Sequence, residues 1–255
     1  MGIVISAGYN HHVTLAHTAS GGCRMKFTPQ PYRCRRKAFD LLIAQLPHLE
    51  QPIGLFNGAM AIAMHEMSDA SVSTVDLIIR GLTDRIRSRV RSDNVQALLA
   101  HAHEVLFEEE GFAGNVDDYH NPFNSYLPAV LETRRGIPIT LSLVYKCVVE
   151  RLGLTVHGIN APGHFLVAVH HPGQRSPLII DPFFGGRAMS IEEAADRAQQ
   201  VMGQPVAQPQ LLIQTATHRQ WLLRMLNNLH GIFAQQRRPH DMAAMAELRA
   251  ALEIP

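Results

Sequence analysis

The sequence predicts an α+β fold, and three observations predict it. Helical periodicity runs from about Lys37 to Leu131. A helix apolar over most of its circumference follows at IPITLSLVYKCVVERLGL, starting at Ile137. Three short β-rich runs, LTVHGINA, HFLVAVHH and PLIIDPF, come next, the last two joined by the turn residues PGQRS. A buried helix followed by an antiparallel meander argues against a doubly wound parallel sheet.

The elements can be justified in order. Residues 1–36 have no sustained periodicity and contain SGG and TPQP, so they read as an unstructured arm, with His11, His12 and His17 inside it. Leu41, Leu42, Leu46 and Leu49 mark a first helix before Pro52; Ile53 to Met67 marks a second. Val75, Ile78, Ile79, Leu82 and Ile86 mark a third, and Val95 to Phe107 a fourth. Turn residues Gly111, Gly114, Asn115 and Pro122 interrupt the pattern, and Ser125 is placed to cap a short helix to Leu131. On the central helix, Ile139, Leu143 and Cys147 form one row and Val144, Val148 and Leu152 another, with Gly153 as its C-terminal cap. After Gly186 the chain is helical again, breaks at the Pro-rich 204–210, and ends in amphipathic segments Arg219–Gln236 and Asp241–Leu252. The predicted organisation is an arm over 1–36, a helical subdomain over 37–131, an α+β core over 132–203, and a helical hairpin over 217–255.

Composition narrows the function. With 46% hydrophobic and 18% charged residues, the chain has material for a packed core. A formal net charge of +1 gives no general attraction to nucleic acid or anionic membranes. The basic run Arg85 to Arg91 lacks interleaved aromatics and reads as a solvated helix face. Cys23, Cys34 and Cys147 form no CxxC pair, which fits a reducing, cytoplasmic setting. No stretch reaches the ~18 apolar residues of a membrane span, and no signal peptide is recognised. Phosphate-loop, dinucleotide, zinc-protease and serine-hydrolase motifs are missing. His101 and His103 are two apart on a helix and point to different sides; His170 and His171 precede a turn and should face solvent. No metal or cofactor is expected.

One constellation carries chemistry: NPFNSYLPAVLETRRGIPITL from Asn121, RLGL from Arg151, PGHFL from Pro162, and IDPFFGG from Ile180. Together with LFEEEGFAGNVDDYHNP upstream, it resembles the transglutaminase-like superfamily, specifically its bacterial SirB-type branch, over about Ile53 to Gly186. The resemblance implies a papain-type core whose catalytic members carry Gly-x-Cys opening the central helix. Counting fifteen back from the helix-closing Gly153 puts Pro138 in the nucleophile position, with Gly136 and Ser142 in register. The strand His and its orienting Asp correspond to His164 and Asp181.

Proline offers no nucleophile, and cysteine chemistry needs a thiolate at a helix N-terminus beside an imidazole. Cys147 lies nine residues along the helix, roughly 13 Å away, and reads as a core residue. Thr140, in the first helical turn, is the one substitute nucleophile to weigh. The expected function is therefore a non-catalytic core that binds a protein or peptide in the old cleft. The alternative is a hydrolase or acyl transferase in which His164–Asp181 activates water or Thr140. NNLHGIFAQQRRPHDMAAMAELRAALEIP further resembles one tetratricopeptide-type hairpin, striped by Leu222, Leu226, Leu229 and Phe233 against Met242, Met245, Leu248 and Leu252. One such repeat cannot bury its own face, so it should dock on the core, pair with another chain or bind a partner.

Overall fold

The helical N-terminal half forms where its apolar stripes fell. In a computed structural model describing residues 11–14, 26–91, 94–170, 176–203 and 207–253, α1 spans Arg36–Gln45 and α2 Pro52–Ala63, with a 3-10 turn at Leu46–His48 between them. Pro47 lies in that turn, so the stripe through Leu49 is broken rather than continuous. Helix α3, Val72–Arg89, starts at Ser71, whose hydroxyl accepts from Thr74 N–H. Helix α4, Val95–His103, starts at Asn94 in the same way and runs on into a π turn over Glu104–Glu109.

Ser125 does not cap the next helix. It closes a 3-10 turn, Pro122–Ser125, and Tyr126 stands before α5, Leu127–Thr133. The turn begins at Asn121, which accepts from Phe123 N–H and uses the local capping that Ser125 was expected to supply.

The central helix α6 spans Pro138–Arg151, and every residue from Pro138 to Val149 is buried. That burial includes Lys146, whose place on an apolar helix was not anticipated. Its Nζ donates to Glu150 Oε1 and to the Val156 carbonyl, both at 2.5 Å, so the charge is paired as burial requires. Beyond Gly153 (φ +95°) the chain enters an antiparallel sheet. It is formed by β5 (Thr155–Ala161), β6 (His164–His170), β7 (Leu178–Asp181), β8 (Arg187–Met189) and β9 (Gln214–Ala216), here numbered after short pairs β1–β2 (His11–Thr14, Lys26–Pro29) and β3–β4 (Ala113–Gly114, Arg135–Gly136). The order is β8-β7-β6-β5-β9.

Alternation along these strands divides the sheet into two faces. Val156, Phe165, Val167, Val169 and Ile180 share the large core with α6. Ile159, Leu166, Ala168, Ile179 and Met189 form a smaller core with Ala194 of α7, Ile191–Met202. The two terminal helices, α8 (His218–Gln235) and α9 (Pro239–Leu252), pack on each other.

The hairpin docks within the chain. Trp221, Leu222, Leu226 and Phe233 are buried in the main core, and so are Met245, Leu248 and Leu252. Gly158 makes the approach possible: a Cβ there would meet Trp221 Cζ3 at 2.4 Å and Phe165 Cζ at 2.8 Å. One continuous cluster reaches from Cys34 to Leu252 and joins the helical segment, the α6 core and the hairpin.

Of the arm over 1–36, residues 1–10 and 15–25 lie outside the described residues, with His17 and Cys23 among them. The described parts are the antiparallel β1–β2 pair and a tether, in which Tyr32, Arg33 and Cys34 N–H groups donate to the Glu247 carboxylate of α9. The turn after β6, residues 171–175, and residues 204–206 of the Pro-rich break also lie outside the described residues.

Candidate functional site

The sequence-predicted residues can now be located. Pro138 is the first residue of α6, buried, behind an extended Ile137 whose N–H donates to the Asn124 carbonyl at 3.2 Å. Proline suits this position because a first-turn N–H has no helical partner. The start of the helix is held on its other side by Trp221, whose Nε1 donates to the Ile139 carbonyl at 3.3 Å. Ser142 Oγ donates to the Phe165 carbonyl at 3.4 Å and ties the helix to β6.

His164 opens β6 and Asp181 closes β7, and register brings them together. Val167 pairs with Ile180, so Asp181 lies opposite Leu166, two residues from His164 on the same face. His164 Nε2 is 2.9 Å from Asp181 Oδ2. Asp181 Oδ1 accepts Phe183 N–H at 3.1 Å, and the Asp181 side chain is only 2% exposed. With Nε2–H directed at a carboxylate, the neutral ring presents Nδ1 as an acceptor. Two aromatic rings flank the imidazole: Phe183 edge-on at 5.9 Å and Phe184 stacked at 6.0 Å.

The dyad borders a cavity of about 210 Å³ on the α7 side of the sheet. Its walls are mainly apolar, with Leu166, Met189, Ala194, Ala198, Val201 and Phe184 prominent, and Arg197 is the one cationic wall residue among the described residues. Thr140 is fully buried on α6 and does not line this cavity, and its Oγ1 has no hydrogen-bond partner among the described residues. His164 and Asp181, named from the sequence, are paired here, whereas the α7 wall and Phe184 were not named. The exposed Phe of IDPFFGG was the available signal, since an apolar residue before two glycines has no core to enter.

The thiols behave as core groups. Burial pushes Cys147 up to about 11 and Cys34 up to about 12. Three arginines of the basic run have partners: Arg85 meets Glu110, Arg89 meets Glu109 and Glu104, and Arg87 donates to the Arg151 carbonyl. His101 bonds Glu104 while His103 bonds Tyr145, so the two point apart. His170 is exposed, and His171 lies outside the described residues.

One polar cluster was not foreseen. His65, His240 and Asp241 place potential ligand atoms within 4.8 Å of one another. His65 Nε2 already pairs with Asp241 Oδ1 at 3.0 Å and Arg238 Nε with Oδ2 at 2.8 Å, and Arg238 also pairs with Glu66. A cation there would compete with the guanidinium at the positive end of α9. The arrangement works as an ionic latch between the end of α2 and the hairpin. No helix among the described residues is long and apolar enough to cross a membrane.

A buried helix on an antiparallel sheet, with a strand His and a strand Asp paired at the ends of adjacent strands, defines a transglutaminase-like core. Residues 74–227 match the transglutaminase-like superfamily, and the chain belongs to it. Among its relatives, a UPF0162 protein of Xylella fastidiosa (strain 9a5c) is 35% identical over 210 residues, 81% of this chain and 74% of that protein. A UPF0162 protein of Vibrio cholerae is 32% identical over 81 residues, 32% of this chain and 30% of that one. F-box only protein 21 of Mus musculus is 33% identical over 131 residues, 49% of this chain and 20% of that protein. No solved structure matches the chain.

Proposed function

We propose that this chain is a non-catalytic transglutaminase-like protein that binds a protein or peptide segment through its degenerate triad cleft. The observation that carries this reading is Pro138 at the first position of α6, where the resemblance puts the cysteine of catalytic members, together with an ordered His164–Asp181 pair. A helix N-terminus lowers a thiol pKa, but proline has nothing to ionise. The apolar, aromatic-flanked surroundings of His164 suit recognition of side chains. We assign the protein to the cytoplasm on its buried free thiols Cys34 and Cys147. The C-terminal hairpin, tetratricopeptide-like in sequence, acts in this reading as a brace, since its apolar stripe is buried within the chain.

The ordered dyad favours a second reading, a hydrolase in which His164 takes a proton from water. Thr140 as nucleophile has less support, being fully buried away from the cavity wall. The test is turnover of acyl ester, thioester and amide substrates by wild type and His164→Ala. No His164-dependent turnover is expected; turnover lost in His164→Ala overturns the non-catalytic reading. Pro138→Cys tests the register. Its thiol should titrate below the ~8.5 of free cysteine, and adding His164→Ala should raise it again. A thiol that titrates like free cysteine removes the basis for calling the triad degenerate.

A further inference from the structure

We infer that Arg224 is an anion-recognition residue whose free guanidinium edge receives a carboxylate of the bound polypeptide, beside the turn that leads into His164. The polypeptide as the source of that carboxylate rests on the binding reading above; the anion site itself rests on the geometry around Arg224.

Charge balance sets Arg224 apart. Arg85, Arg89, Arg134, Arg151, Arg197 and Arg238 are part-buried like Arg224, and each meets a carboxylate. Arg224, on α8, meets none among the described residues. Its Nη1 donates to Asn160 Oδ1 and, at 3.0 Å, to the Ala161 carbonyl, and the guanidinium lies 5.5 Å from the centre of the Phe165 ring. All three partners are neutral. Burial lowers Arg224 from its ordinary value, and the one ionisable group acting on it among the described residues is the Tyr119 phenol. A charge drawn out of water and left with neutral acceptors is costly. A structural tie would not need that charge, because the two N–H groups of a glutamine amide could serve Asn160 and Ala161.

The unused part of the guanidinium has the shape of a receptor. Nε and Nη2 have no hydrogen-bond partner among the described residues, and neither is a buried atom. Together they form an edge that takes a carboxylate through two parallel bonds. With Nη1 already held, the plane of the group is set and less rotamer freedom is lost on binding. Asn160 is exposed, and with Oδ1 occupied by Arg224 its Nδ2 remains a further donor at the same place.

The edge adjoins the dyad. Ala161 pairs with His164 across the β5–β6 turn, and both border the cavity. Tyr119 is 40% exposed and packs on Phe183, which packs on His164. Arg224 is thus joined to the dyad through Ala161, close enough for one polypeptide to touch both.

The test titrates the full chain at low salt with N-acetyl-Gly-Gly bearing a free carboxylate, N-acetyl-Asp N-methylamide, and N-acetyl-Gly-Gly amide. Binding is read by NMR at Arg224 Nε–H and at the backbone amides of Tyr119, Asn160 and Ala161. A carboxylate peptide should shift these signals saturably, and the amide should not. Response to the free-terminus peptide identifies a chain end as the source, and response to the aspartate peptide an acidic side chain. Arg224→Gln, which keeps donors for Asn160 and Ala161, should weaken binding about ten- to a hundredfold, the loss of a charge-assisted pair. Arg224→Met, which keeps an apolar stem over Phe165, should do the same. No saturable shift with either carboxylate, an equal shift with the amide, or unchanged affinity in a folded Arg224 variant overturns the assignment. That result without His164-dependent turnover leaves the binding reading standing at another surface. His164-dependent turnover removes the non-catalytic reading and leaves the carboxylate titration to decide Arg224.

Discussion

At the scale of single residues, burial decides which groups can react. A thiol at about 11 is ionised to roughly one part in a thousand at pH 8, and Cys147 is also walled in on α6. Cys34, pushed up to about 12 by burial and by the Glu247 carboxylate, is less reactive still. Native protein titrated with a disulfide reagent at pH 8 should therefore show at most one fast thiol, abolished by Cys23→Ser. Fast labelling of Cys147 would mean that α6 opens readily. The dyad gives a second expectation. Asp181→Asn keeps an acceptor for Phe183 N–H and turns an amide N–H toward His164, which the other imidazole tautomer can accept, so it should melt close to wild type. Asp181→Leu strands both donors and should lose about 1–3 kcal/mol, measured by denaturant unfolding. Equal midpoints for wild type and the leucine variant would make the pair irrelevant to stability.

At the scale of elements, the molecule is joined by side chains that bridge distant helices. Burial alone would push Asp241 up, but hydrogen bonds from His65 and Arg238 and their charges bring it below its ordinary 3.8. A carboxylate with a lowered folded pKa stabilises fully above its unfolded value, and that stability is lost as pH falls through the lowered one. The hairpin latch should thus weaken below about pH 4. Asp241→Asn should cost about 1–2 kcal/mol at neutral pH and flatten the acid side of the stability profile. A variant with an unchanged acid profile would place the acid-sensitive group elsewhere. Glu110 acts likewise between α3 and the residue after α5: burial raises it, yet hydrogen bonds from Arg85 and Arg134 lower it overall.

At the scale of the whole molecule, the hairpin is part of the core. Trp221 is fully buried against Gly158 and Phe165 and donates to the first turn of α6. Deleting residues 217–255 should abolish cooperative unfolding and give an aggregating chain, checked by thermal circular dichroism and light scattering. A folded, monomeric truncation would show instead that the hairpin is an appendage. Partner capture that compares full-length and truncated protein would therefore report on folding before it reported on binding.

What the sequence by itself determined is local or motif-borne. Helices and strands followed from apolar spacing, because periodicity is a property of a few consecutive residues. The alternation of His164, Phe165 and Leu166 followed from strand geometry, and the family from a resemblance that residues 74–227 sustain. Local capping already lay beyond it: Ser125 and Asn121 are both able caps, and the chain uses Asn121. Only the tertiary structure decided which face of the sheet the dyad's cavity occupies, what walls it, and where the hairpin buries its stripe. Those outcomes depend on contacts between residues far apart in sequence, such as His65 with Asp241, Trp221 with Gly158 and Val201 with Gly163. Chain spacing carries no record of such pairings, because the hydrophobic effect that makes them is non-directional and selects partners only once the elements meet.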